Sequence, residues 1–368
     1  MNEAKSYNKI KLLLISPDFD YANGVTRHLR ALLKLLSECN NFEVHFITNR
    51  GDALSELIHI KNIKYSVFPF SHFRLNLIKH ISFYRYLINY CKINNIQIIH
   101  NHHRYPEFIS YLISKRLNIK TVTTAHSIVN GLRLFSFKSD LIIAVSNSVR
   151  NHIIQNFKVP SSRIFKIYNC ILSSDYYINV PNPDHIRKEL NIKQDDFVIF
   201  FNGRINKTKG VDLLLNAFEL LQKNNQNLKL LLVGVVEDTS ITSKLPKNVY
   251  LFNSKKDISR YYLISNIIIL PSRVDPYPYV MLEAGLFTKP FIGSRVDGIA
   301  EFIEDHVDGI LFNTDDVEDL FLKINFAYDN MNQMKEMAVH LNNKVKTNCN
   351  CCDYIIKLKN IYNQVLSF

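Results

Sequence analysis

Arg204 and Lys209 stand five apart in the run Gly203-Arg204-Ile205-Asn206-Lys207-Thr208-Lys209-Gly210. The run follows an apolar segment, residues 197–201, and precedes a helical pattern. It therefore places a planar guanidinium fork and an ammonium point charge on a loop between a strand end and a helix start. There the two can converge on one diphosphate, with backbone N–H groups of the helix start as further donors. The plain alternative is an exposed basic turn. Asp275 and Glu283 stand eight apart in Asp275-Pro276-Tyr277-Pro278-Tyr279-Val280-Met281-Leu282-Glu283-Ala284-Gly285. A carboxylate in the Pro-constrained loop can hold sugar hydroxyls. One near the start of the apolar helix can accept two vicinal hydroxyls, as on a ribose, or can simply complement the helix dipole. A third group, Asp297-Gly298-Ile299-Ala300-Glu301 with Asp308-Gly309-Ile310 after it, carries glycines that suit turns.

These residues need elements to position them. Residues 10–16 read as a buried strand. After it, Val25, Leu29, Leu32, Leu33 and Leu36 recur on one helical face. Further strands are expected at residues 43–48, 64–68, 97–100, 120–124, 140–145 and 164–168. Residues 173–183 are polar and aromatic, end in Pro181-Asn182-Pro183, and read as a linker. The alternation then restarts, with strands at 197–201, 228–233, 249–252 and 267–270 and a helix at 211–221. Strands separated by helices imply βαβ units and parallel sheets, so two doubly wound α/β domains are expected. Ligands of such sheets bind beyond the carboxyl ends of the strands. A dinucleotide enzyme would need G-x-G-x-x-G after a strand. None of the ten glycines are so spaced, which argues against NAD or FAD.

Cys39, Cys91, Cys170, Cys349, Cys351 and Cys352 are scattered, and no signal-peptide pattern precedes them, so reduced thiols are expected. The cluster at 349–352 lacks a second C-x-x-C or a His pair, and no metal is assigned to it. No apolar run approaches the ~20 residues of a membrane span.

The three groups together resemble the C-terminal domain of the retaining glycosyltransferases of family 4, of the two-Rossmann GT-B kind. That family reads G-R-x-x-x-x-K-G, then E-x(7)-E before Ala and a G-x-P run, then G-G-x-x-E and a Gly-led hydrophobic strand. This chain supplies Gly203-Arg204 with Lys209-Gly210, Asp275 with Glu283-Ala284 and Thr288-Lys289-Pro290, and Gly298 with Glu301 before Gly309-Ile310-Leu311-Phe312. Asp275 replaces the first Glu of the pair and Asp297 the first Gly. Gly24 sits where the family has a Gly-Gly loop. His102, in His100-Asn101-His102-His103, resembles its H-x-H segment, and His126, in Thr124-Ala125-His126-Ser127, its T-x-H segment. A lone His is more often a structural hydrogen-bonder, but two at strand ends on the binding side favour a role in the site. Asp140 to Ser146 and Asn169-Cys170-Ile171 also fall on family positions.

The resemblance implies an α/β fold of two Rossmann-like domains facing a cleft. Residues 1–172 form the acceptor side, 173–183 the linker and 184–348 the nucleotide-sugar domain, while 349–368 form a helix returning to the first domain. It implies sugar transfer from a nucleotide-sugar with retention and no metal, with which the lack of an Asp-x-Asp motif agrees. Arg204 and Lys209 would neutralise the diphosphate and Asp275 would hold the transferred sugar. His102 and His126 would shape the sugar pocket, with Gly24, Gly203, Glu283, Tyr279 and Val280 on the donor. The members it most resembles build bacterial surface polysaccharides, so a glycan acceptor, lipid-linked, is expected. The alternative on the same fold is a sugar-nucleotide epimerase, which needs acid/base carboxylates in place of an acceptor site.

Charge adds a location. Residues 1–180 hold 23 Lys and Arg against 10 Asp and Glu, whereas residues 181–368 hold 22 against 23. A basic half suits anionic partners. No nucleic-acid motif is present, so an anionic membrane surface is the partner expected, and nucleic acid is not. Residues 68–93 interleave Phe70, Phe73, Phe83, Tyr84, Tyr86 and Tyr90 with Arg74, Lys79, Arg85 and Lys92. The stretch suits either an interfacial helix or a core helix with a basic outer face. The expected location is cytoplasmic, peripheral on the inner face of the cytoplasmic membrane.

Overall fold

Buried parallel strands are near-continuous apolar runs, because helices cover both of their faces. Such runs form the central strands of the computed structural model, which describes residues 9–70, 77–176, 182–253 and 257–368. Linker positions 177–181, Phe73 and Arg74 lie outside the described residues. The first half holds β1 (Ile10–Asp18), α1 (Gly24–Ser37), β2 (Phe42–Arg50), β3 (Ile63–Val67), α2 (Leu77–Asn94), β4 (Ile98–Asn101), α3 (Arg104–Leu117), β5 (Lys120–Ala125), β6 (Leu141–Ala144), α4 (Asn147–Phe157) and β7 (Ile164–Lys166). The second half follows with α5 (Pro183–Glu189), β8 (Phe197–Asn202), α6 (Val211–Gln222), β9 (Leu228–Val233), α7 (Thr239–Thr242), β10 (Val249–Phe252), α8 (Ser259–Ile264), β11 (Ile267–Leu270), α9 (Tyr279–Leu286), β12 (Phe291–Ser294), α10 (Asp297–Phe302), β13 (Ile310–Phe312), α11 (Val317–Asp329) and α12 (Met331–Asn348). The chain ends in α13 (Cys351–Leu366).

Two units result, Met1–Asn169 with Cys351–Phe368, and Cys170–Asn350. The second unit thus begins at Cys170, whose carbonyl accepts from the Tyr279 hydroxyl at 3.2 Å.

In the first unit the parallel sheet runs β3-β2-β1-β4-β5-β6-β7. Strand order reverses between β1 and β4, where Leu14 pairs with His100 and Ile15 with Asn101. α13 belongs to this unit. Its buried Tyr362 hydroxyl lies 2.7 Å from His100 Nδ1, and its Leu358 and Val365 are fully buried. In the second unit the sheet runs β10-β9-β8-β11-β12-β13, reversing between β8 and β11. Both are Rossmann-like sheets, and the switch points of P-loop-free folds of this kind are where ligands enter.

The described aromatics of residues 68–70 and 77–93 turn inward. Phe70 and Phe83 stack at 4.2 Å between ring centroids, Phe68 and Tyr86 at 4.0 Å, and Phe83, Leu87 and Cys91 are buried. What α2 shows to solvent is aliphatic and basic: Leu77, Ile78, Ile81 and Ile93 with Lys79, Arg85 and Lys92.

One buried carboxylate organises the approach to β6. Glu107 of α3 accepts from the backbone N–H groups of Phe137 at 2.9 Å and Ser139 at 2.8 Å, and from that of Lys138. Burial pushes its carboxyl up to about 7, against these donors. Glu107→Gln offers an N–H group to a nest of donors. It is expected to cost about 2–3 kcal/mol, read as a shift in denaturant midpoint with unchanged slope.

Candidate functional site

The loops at the β8/β11 switch point gather most of the residues singled out from the sequence. Asn202 ends β8. The chain then turns through Gly203, and Asn206 caps the next turn by accepting from Lys209 N at 2.9 Å. Gly210 follows with φ +69°, and a Cβ there would lie 1.8 Å from the Pro271 carbonyl oxygen. Only glycine fits, and the close approach brings the β8 loop against the β11 loop. Arg273 ties the two. Its guanidinium grips the Asp212 carboxylate at 2.8 and 2.9 Å and Asp315 at 2.5 Å, while its N–H donates to Thr208 O at 2.8 Å.

Within this frame Lys209 Nζ lies 2.6 Å from Asp275 Oδ2, the side chains being 18% and 6% exposed. The buried Ser272 hydroxyl donates to the same oxygen at 3.0 Å. Asp275 N–H donates to Asp297 Oδ2 at 3.0 Å, and its carbonyl accepts from Gly298 N–H at 3.2 Å. A Cβ at Gly298 would lie 1.9 Å from Pro276 O, so the third sequence group acts as a clamp on the Asp275 loop. Asp275 Oδ1 carries no hydrogen bond among the described residues.

Arg204 and Lys209 each have a carboxylate partner of their own. Arg204 is half-exposed and lies 3.3 Å from Glu237 Oε1, which belongs to a loop zipped onto its own by the bond Ile205 N to Val235 O at 2.8 Å. Glu283 presents no free carboxylate. It is fully buried, with Oε1 accepting from the Tyr176 hydroxyl at 2.8 Å and Oε2 from the Tyr262 hydroxyl at 2.5 Å and Asn202 Nδ2 at 3.3 Å. A ribose would have to displace these donors to reach the carboxylate. Tyr279 and Val280 are buried at the start of α9, whose first turn has no side-chain cap.

The β1/β4 switch point of the first unit holds imidazoles. His102 follows β4 and its N–H donates to Ile15 O at 3.0 Å. His126 follows β5, and its Nε2 lies 3.1 Å from His102 Nδ1. His100 stacks on His102 at 4.4 Å, with its Nε2 2.8 Å from Thr124 Oγ1. Gly24 is exposed at the start of α1, capped by Asn23, whose side chain accepts from Val25 N. His28, on the buried face of α1, completes the cluster and was not among the expected residues. Its place three residues after Val25 on the apolar face was the available signal.

Residues 182–345 match the family described as Glycosyl transferases group 1, and residues 22–172 that described as Glycosyltransferase Family 4. The chain belongs to these glycosyltransferases and is an enzyme of that class. N-acetyl-alpha-D-glucosaminyl L-malate synthase of Bacillus anthracis is 28% identical over 301 residues, 74% of this chain and 76% of that one. A glycosyltransferase from Rickettsia africae ESF-5 shares the fold with a TM-score of 0.83 at 22% identity, covering 98% of this chain and 99% of that one. Anabaena HepE, solved with UDP-glucose, does so with a TM-score of 0.81 at 16% identity, covering 96% and 100%. Other relatives include glycosyltransferases of lipopolysaccharide and capsular polysaccharide synthesis. Among the described residues no helix is long and apolar enough to cross a membrane.

Burial keeps the histidines neutral. His28 is held down at about 4 and His100 at about 3, and His102 and His126 lie well below 6.5. In the unfolded chain they protonate near 6.5, so between that value and 4 the unfolded state binds more protons. Their contribution is complete above pH 6.5 and is lost on acidification, up to about 3 kcal/mol for His28 alone. The melting temperature of the first unit is expected to fall between pH 6.5 and 4, and less steeply in His28→Gln. Equal slopes would contradict the assignment.

Proposed function

We propose that the enzyme moves a sugar, with retention of anomeric configuration, from a nucleoside-diphosphate donor to a lipid-linked glycan of a cell-surface polysaccharide. The observation that carries this reading is the Lys209–Asp275 pair at the switch point of the second unit. Lys209 spends one of three N–H donors on Asp275. The others suit a phosphate oxygen, and Asp275 Oδ1 suits a sugar hydroxyl. The solved structure of Anabaena HepE with UDP-glucose supports a donor of that class.

Transfer passes through an oxocarbenium-like state. Charge develops on the leaving diphosphate, where Lys209 provides a preorganised cation and Arg204 a second one once it leaves Glu237. These cations take the place of a divalent metal at the diphosphate. The leaving phosphate oxygen takes the acceptor proton.

Lys209→Ala and Arg204→Ala are expected to lower turnover on the order of 10²-fold, as for loss of one oxyanion donor. Asp275→Asn should lower transfer while calorimetric binding of the free nucleoside diphosphate persists. The assay is a panel of nucleotide-sugars with product anomers read by NMR. Wild-type turnover in Lys209→Ala, or an inverted product, would refute the mechanism.

The acceptor side is proposed to meet the inner face of the cytoplasmic membrane through α2. Ile78, Ile81, Arg85 and Lys92 fall at i, i+3, i+7 and i+14, on one exposed face. With Leu112 and Arg116 of α3, Ile81, Arg85 and Lys92 line a groove of about 530 Å³. Each cation near an anionic surface adds about 1 kcal/mol, so Lys79, Arg85 and Lys92 together supply about 3 kcal/mol, enough for reversible docking. Liposome flotation should depend on anionic lipid, fade in high salt and fail in Lys79→Gln/Arg85→Gln/Lys92→Gln. Unchanged flotation in that variant, or none by the wild type, would favour a soluble acceptor.

A further inference from the structure

We infer that His28, His102 and His126 form a binding site for a single borderline transition-metal ion of the Zn2+ type. The three lie on different elements, α1, the loop after β4 and the loop after β5, and each offers a ring nitrogen within 4.8 Å of the other two. Three imidazoles on one tetrahedral ion, with metal–nitrogen distances of about 2.0–2.1 Å, hold their ring centroids roughly 5 Å apart. The observed separations are 4.8 Å for His28 and His126, 5.4 Å for His28 and His102, and 5.4 Å for His102 and His126.

A second observation points to a ligand. His102 is 2% exposed and its Nε2 is buried without a hydrogen-bond partner among the described residues. A buried ring nitrogen left so calls for an ion or a water.

Support around the ligands matches what metal sites require. His100 lies against His102 and is fixed at both nitrogens by Tyr362 and Thr124, and the Tyr354 hydroxyl lies 3.3 Å from His28 Nε2. His126 is only part-buried, which leaves a side for entry and a fourth position for water or an anion. Three histidines with an open position is the donor set of catalytic zinc sites rather than structural ones. The ion is separate from the diphosphate charge, which is assigned to Arg204 and Lys209.

Titration of the metal-free full chain with Co2+ at neutral pH tests this. The expected result is one equivalent bound with the intense visible bands of tetrahedral coordination, displaced by Zn2+. His28→Gln and His126→Gln should each weaken binding at least about 10-fold. X-ray absorption on the wild-type Zn2+ form, which needs no variant to fold, should show three imidazole ligands. Absence of one-equivalent binding, fewer than three imidazoles, or unchanged affinity in both folded variants would overturn the site.

Discussion

An ammonium and a carboxylate 2.6 Å apart and nearly closed off from solvent set the terms for the second unit. Removing two charges from water costs several kcal/mol per ion, and that cost is recovered only when geometry is tight and the remaining hydrogen-bonding positions are filled. The surroundings of Lys209 and Asp275 meet this demand in part, leaving Asp275 Oδ1 and two Lys209 N–H groups open among the described residues. Ser272 fills a second position on Oδ2, Asp297 takes the Asp275 N–H, and Arg273 locks the two loops with a two-pronged grip on Asp212. Gly210 lets the loops approach closely enough for the pair to form. A polar crevice of this kind is costly for stability and is retained where a ligand uses its charge. That separates it from the uncharged core beneath, built from Phe200, Leu231 and Ile268.

The first unit solves a similar problem without charge. Four imidazoles cluster at its switch point, and burial keeps them neutral instead of pairing them with carboxylates. Neutral rings stack and hydrogen-bond to one another, so the crevice is polar yet nearly field-free. The two units therefore present opposite electrostatic characters at topologically equivalent places, a contrast that the net charge of the two halves does not reveal. The excess cations of the first half lie elsewhere, on faces such as that of α2.

Most of the frame was legible because apolar runs of four to six residues between amphipathic stretches leave few alternatives to a parallel strand. β8, β9, β10 and β11 agree with the expected ranges to within a residue. β12 was not legible. It is four residues long, contains Gly293 and follows a Pro, so local preference argues against the strand that burial imposes. The loop pattern Gly203 to Gly210 marked the crevice, yet the partners Glu237, Arg273 and Tyr176 were invisible, since pairing across loops is decided by close packing and not by spacing. The aromatics of residues 68–93 were readable as either face of a helix. Their inward turn follows from stacking of Phe83 on Phe70 and on Tyr105 of α3, contacts that helical spacing within α2 does not reveal.

The placement of α13 has a consequence for biosynthesis. Tyr362, Leu358 and Val365 fill the core of a unit whose other residues precede position 170. On the ribosome the second unit is complete in a continuous stretch, whereas the first waits for residues made after it. At roughly 5–20 residues per second, the 181 residues in between impose a delay on the order of ten to forty seconds. During that interval β1, β4 and β5 stand assembled or assembling with His100 lacking Tyr362 and an apolar face uncovered. The nascent chain is thus exposed to chaperones and proteases at its amino-terminal half while the second unit is still being made. Closure of the sheet's face by Tyr362, Leu358 and Val365 therefore has to follow synthesis of the second unit.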